Sequence, residues 1–179
     1  MKIRNTVFRR WSILSIMLIA FMPTHNYAGL SNNGATFLQI PSGARQVGLG
    51  EAFTGLAYED INLMRYNIGG LGSIRKMMLG INYHNWIDDT QQGAMGLAMP
   101  TRLGVLGFHF NYFNQGQLSE TDASITPTGN ILESNDIALA LGWGSYLRML
   151  KQQLLFGGSL KFIRETLGQE SANALGLDL

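Results

Sequence analysis

The chain has 179 residues, of which 14% are charged and 46% hydrophobic, with 22 glycines, four prolines and no cysteine. That length holds one domain at most, and its charge falls well under the roughly 25% of soluble domains. The net charge of +1 rests on Lys2, Arg4, Arg9 and Arg10; without them nine bases face twelve acids, so no basic surface argues for nucleic acid.

Residues 1–28 read as a secretory signal. Lys2, Arg4, Arg9 and Arg10 form its positive start, Trp11 to Met22 its apolar run, and Pro23 breaks that run. Ala28-Gly29 offers a small-residue cleavage point, although Asn26 fits it poorly. The apolar run is shorter than the ~20 residues a spanning helix needs, and no later stretch reaches its length. The mature chain is therefore expected to begin near Gly29 and to have no transmembrane helix.

From Phe37 to Leu71 the sequence changes character. Gly43, Gly48, Gly50 and Gly55 alternate with the small Ser42, Ala44, Ala52 and Ala57, a spacing expected to let backbone lie against backbone. Glu59-Asp60 is expected to cap a helical turn running through Tyr66, which Asn67-Ile68-Gly69-Gly70 then ends. Residues 29–74 thus read as a plug, docked inside a wall built by residues 75–179. Arg45 is its charge of interest. A buried guanidinium needs a partner, and Glu51, Glu59 and Asp60 lie within reach as a latch. The alternative is a solvated charge in a wet lumen.

After Leu71 the apolar pattern takes a period of two. Met77, Leu79, Ile81 and Tyr83 oppose Gly80, Asn82 and His84; Met95, Leu97 and Met99 oppose Ala94, Gly96 and Ala98. Leu106, Phe108, Phe110 and Tyr112 oppose Gly107, His109 and Asn111; Ile137, Leu139, Leu141 and Trp143 oppose Ala138, Ala140, Gly142 and Gly144. Leu154, Phe156, Leu160 and Phe162 oppose Gly157, Ser159 and Lys161. Each run predicts a strand with one apolar face and one small or polar face. A soluble sandwich shares that alternation. Strands of about 9–11 residues, an almost uncharged second face, and Trp86, Tyr112, Trp143 and Tyr146 near strand ends favour an outer-membrane wall.

The links set the expected topology. Ile87–Gln91, Pro100–Gly104 and Leu147–Gln153 are short, whereas Asn114–Asn135 reads as a long polar loop. Short turns face the periplasm in such barrels and long loops the outside. Five strands are visible and residues 172–179 open a sixth, against the eight or more of a closed bacterial barrel. The expectation is an N-terminal portion of a larger barrel, the other possibility being several chains that close one barrel.

Gly43-Ala44-Arg45, Gly48-Leu49-Gly50-Glu51-Ala52-Phe53 and Asn67 to Leu71 together resemble the start of PorV/PorQ-type outer-membrane proteins, relatives of the FadL long-chain fatty-acid transporters. The resemblance covers roughly residues 37–113. It rests on Gly43, Ala44, Arg45, Gly48, Gly50, Asn67, Gly70 and Leu71, while Ile68 and Gly69 stand where the family has Pro and Ala. It implies a single-chain antiparallel barrel of roughly 14 strands with an N-terminal hatch, and it favours the incomplete-barrel reading. It also implies one of two roles: passage of hydrophobic small molecules, or a non-channel part in a protein secretion system of type IX kind. The remaining alternative is a soluble β-rich secreted binding protein.

Candidate chemistry is thin. His84 and His109 fall on the lumen-facing set with Asn82, Asn111, Ser159 and Lys161. A histidine pair suggests a metal or proton site, but no cysteine or carboxylate shares that face, so neutral polar lining is expected and metal is not. Asp88-Asp89-Thr90 reads as turn rather than cation loop. Gly48–Phe53 lacks the third glycine and the βαβ setting of a dinucleotide loop, so no cofactor is expected. Ser134 and Ser159 occur without a G-x-S-x-G elbow, so no enzyme is expected either. The expected partners are outer-membrane lipid, hydrophobic small molecules or secretion-system proteins.

Overall fold

The computed structural model of the chain describes residues 34–55, 59–87, 90–122, 124–149 and 152–179. The expected secretory signal and the acids Asp88 and Asp89 lie outside them. Among the described residues no helix is long and apolar enough to cross a membrane.

Six strands form one antiparallel sheet in chain order: β1 (Met78–Asn85), β2 (Gln91–Thr101), β3 (Gly104–Thr121), β4 (Pro127–Met149), β5 (Gln152–Leu167) and β6 (Glu170–Asp178). Every pairing is antiparallel, and the register joins the apolar sets across neighbours: Met95 pairs with Phe110, Phe110 with Leu139, and Leu139 with Phe162. This keeps each predicted face continuous over the sheet, because a slip of one residue would mix the two sets. The link between β2 and β3 is tighter than expected, just Arg102 and Leu103, with Gly104 at φ 133°.

The largest difference concerns Asn114–Asn135, which reads as a loop but folds as the outer part of β3 and β4. The two strands stay paired past two register shifts, with Leu118 opposite Leu132 and Thr121 opposite Pro127. Local polar bonds explain it. Asp122 Oδ1 accepts from the amides of Ser124 and Thr126 (2.8 and 2.9 Å), closing the turn. Glu120 Oε2 accepts from Thr128 Oγ1 and Asn130 Nδ2, fastening the arm across the pair. Polar residues here signal an exposed hairpin.

Before the sheet, the described residues of 35–55 and 59–76 form short turns and helices on one of its faces: η1 (Thr36–Gln39, 3-10), α1 (Ala44–Gly48), α2 (Leu63–Tyr66) and η2 (Ile68–Ser73, 3-10). Asp60 closes the turn that leads into α2, its Oδ1 accepting from the Asn62 amide (2.9 Å) and its carbonyl from the Leu63 amide (3.2 Å), while the helix itself is capped by Asn62 with no side-chain bond. Asn67, in extended backbone, ends that turn as expected, and the chain runs on. It tightens into η2, which carries Ile68 and Leu71 down onto the sheet, both buried. Two cores result. Ile61, Met64, Ile68, Leu71 and Ile74 meet Ala98, Val105 and Ala140 in one, and Phe37 meets Phe113 and Ala138 in the other.

Candidate functional site

The candidate site is the face of the sheet that the N-terminal segment covers. The strands present Gly, Ala and short polar side chains there, and the segment supplies the bulk. A Cβ added to Gly80 or Gly96 would lie 2.5 or 2.4 Å from Ile61 side-chain carbons. On Gly107 it would lie 2.5 Å from Met64 Sδ, and on Gly142 2.7 Å from Ile68 Cδ1. These four positions are sockets for the segment's large side chains. Backbone meets backbone at Gly69 against Phe156 and Gly72 against Ser145, and from the strands at Gly144 against Gly72 and Gly157 against Ile68.

That corrects the small-residue reading of the segment. Gly48, Gly50 and Gly55 have no heavy atom within 4 Å of where a Cβ would stand, and Gly48 and Gly50 are exposed. Gly50 is required instead by its φ of 61°. Gly43 combines both needs, with φ 96° and a Cβ position only 2.2 Å from Gln46 Oε1. Of the remaining resemblance residues, Gly70 and Leu71 are buried, Ala44 and Arg45 are exposed, and Asn67 is exposed with its Nδ2 donating to Thr54 O (2.8 Å). Ile68 is buried, and its side chain fills the Gly142 socket.

Arg45 is not the buried cation of the segment. Its side chain is half exposed and Nε stands 4.0 Å from Asp60 Oδ2, a pair of the weak surface kind. Glu59 faces Arg75 at 3.9 Å. The more buried cation is Arg65, and its bonds stay within the segment. Its Nη2 donates to the carbonyls of both Leu38 and Ile40, tying η1 to α2. Burial lowers the Arg65 pKa from its ordinary value, while the neighbouring Tyr66 and Glu51 act to raise it.

A polar relay joins segment to wall. Gln46 Nε2 donates to Asp60 Oδ2 (3.1 Å), Asn62 Nδ2 to Gln46 Oε1 (3.5 Å), and Asn82 Nδ2 on β1 to Asn62 Oδ1 (3.2 Å). Gln46 is fully buried and Asn62 nearly so, so the relay supplies the partners that buried amides require. Ala35 N–H donates to Glu165 Oε1 on β5 (2.7 Å), fixing the start of the segment.

All six polar residues expected inside, Asn82, His84, His109, Asn111, Ser159 and Lys161, lie on the covered face. His84 rests its ring edge-on against Trp86 (5.7 Å between centroids). Gln92 Nε2 donates to Asn111 Oδ1 (3.1 Å). Contrary to the expectation that no carboxylate shares this face, Asp178 does, its Oδ2 reached by Ser159 Oγ and Lys161 Nζ at 2.9 and 2.6 Å. Among the described residues no three His, Asp or Glu side chains gather as a metal site. Compared with known proteins, the chain matches no family model, no curated protein and no solved structure.

Proposed function

We propose that the sheet is wall of an outer-membrane β-barrel of PorV/PorQ (FadL-like) kind, with the N-terminal segment as its plug. One observation carries this reading: the face away from the segment is a continuous field of large apolar side chains. Leu79, Ile81, Leu141, Leu160 and Leu177 are each more than 60% exposed, and the paired Phe110, Leu139 and Phe162 run between them. An apolar field on such a scale marks a surface made for lipid or a partner rather than water. On this face Tyr112 toward one end and Trp143 toward the other fit aromatic girdles, whereas Trp86, packed on His84, and Tyr146, on the Gly142–Gly144 side of β4, lie on the covered side. In this reading the short Arg102-Leu103 turn is periplasmic, and the β3–β4 hairpin projects outside.

The role we assign is passage of hydrophobic small molecules, with the segment as gate. The filled glycine sockets favour a second role, a barrel that does not conduct and instead anchors a partner of a protein secretion system. Single cysteines test the membrane reading cleanly, because the chain has none of its own. Leu141→Cys should react with a bilayer-confined thiol probe, and Thr128→Cys with an aqueous one alone. Aqueous labelling of both to the same extent would refute the lipid-facing assignment. Uptake of a fluorescent fatty acid into proteoliposomes then separates the two roles: uptake supports passage, and none supports the partner role.

A further inference from the structure

Where the segment crosses β3, β4 and β5 a partly open cavity of about 60 Å³ lies between them. Met64 and Ala140 supply part of its apolar lining, and Arg65, His109, Asn111 and Lys161 its polar lining. Three buried nitrogens of these residues have no hydrogen-bond partner: Arg65 Nη1, His109 Nε2 and Asn111 Nδ2. His109 and Asn111 are 7% and 1% exposed, so water outside cannot serve them. The bond from Gln92 Nε2 to Asn111 Oδ1 engages the oxygen of that amide and leaves its NH₂ as the unpartnered end.

The charges are unbalanced. Asp178 at 2.6 Å answers Lys161. Arg65 donates only to neutral carbonyls and makes no ion pair among the described residues. The cavity therefore presents N–H groups and a largely buried guanidinium that Glu51 favours without forming an ion pair, a setting that a further negative charge would relieve. At about 60 Å³ the space has room for a small anion.

We propose that this cavity binds a single small monovalent anion of chloride size, held by Arg65 of the segment together with His109 and Asn111 of β3. The ion bridges segment and wall, and so fastens the segment. This inference rests on the cavity alone and stands whether or not the sheet faces lipid.

Thermal unfolding of the purified protein in potassium chloride and potassium gluconate, at matched ionic strength, tests it. Chloride should raise the midpoint saturably by a few degrees over gluconate, since a ligand of the folded state alone stabilises it. Arg65→Gln and Asn111→Asp should abolish the difference, whereas Arg45→Gln outside the cavity should keep it. Equal midpoints in the two salts, or a chloride shift that persists in both cavity variants, would overturn the proposal. Should those variants fail to fold, wild-type crystals soaked in bromide decide alone. An anomalous peak beside Arg65 Nη1 supports the site, and density for water only rejects it.

Discussion

The two faces of this sheet are made by the same strands, residue by alternate residue, and they obey opposite rules. On the covered face side chains shrink to Gly, Ala, Ser and Asn because the segment brings Ile61, Met64, Ile68 and Leu71. On the open face they grow to Leu, Ile, Phe and Trp, with nothing from the described residues laid over them. One face should therefore reject changes of volume, and the other should reject charge. A glycine in a strand ordinarily weakens it, so the sockets at Gly80, Gly96, Gly107 and Gly142 make sense only as half of a fitted pair.

The largest expected effect is on the segment's side of that pair. Leu71→Ala removes a side chain with no exposure, and should cost about 2–5 kcal/mol in chemical denaturation. A cost under about 1 kcal/mol would mean that the segment adds little to stability. Next comes charge on the open face. Leu139→Arg should cost about 2–4 kcal/mol if that position lies at the bilayer midplane, while Thr128→Arg on the hairpin should cost almost nothing. Equal tolerance of the two would make the sheet a soluble one. Gly96→Ala reads the socket itself. With Ile61 only 2.4 Å from the new Cβ, it should cost about 1–3 kcal/mol, and pairing it with Ile61→Val should recover part of the loss. The smallest effect lies outside both faces. Ile125 is 84% exposed at φ 62°, a region hostile to β-branched residues, so Ile125→Gly should raise stability by about 1 kcal/mol.

Strand number and the in–out sense of each strand were legible because they depend on alternation within single segments. Leu139 and Ala140 fall on the faces that the pattern assigns them for that reason. The Asn114–Asn135 arm misled because its polar residues say only that it is exposed, and pairing between two solvated strands leaves no period on one strand. The segment was misread for a different reason. Its glycines read as sites of close approach, but Gly50 answers a positive φ, and the partners of Ile61 are glycines lying 19 and 35 positions further on. Arg65 was passed over because its acceptors are main-chain carbonyls, which any residue supplies. Nothing in the identities of Leu38 and Ile40 announces them.

The seat of η2 bears on the order in which the chain assembles. Ile68–Ser73 directly precedes β1, yet Gly72 lies against Ser145 of β4 and Gly69 against Phe156 of β5. The neighbouring β-hairpins need only local closure, whereas this seat does not exist until two strands far along the chain have paired. Seating of the segment is therefore a late event, and it acts as a proofreading step: a sheet with β4 and β5 misregistered offers no groove for Gly69 and Gly72 to enter.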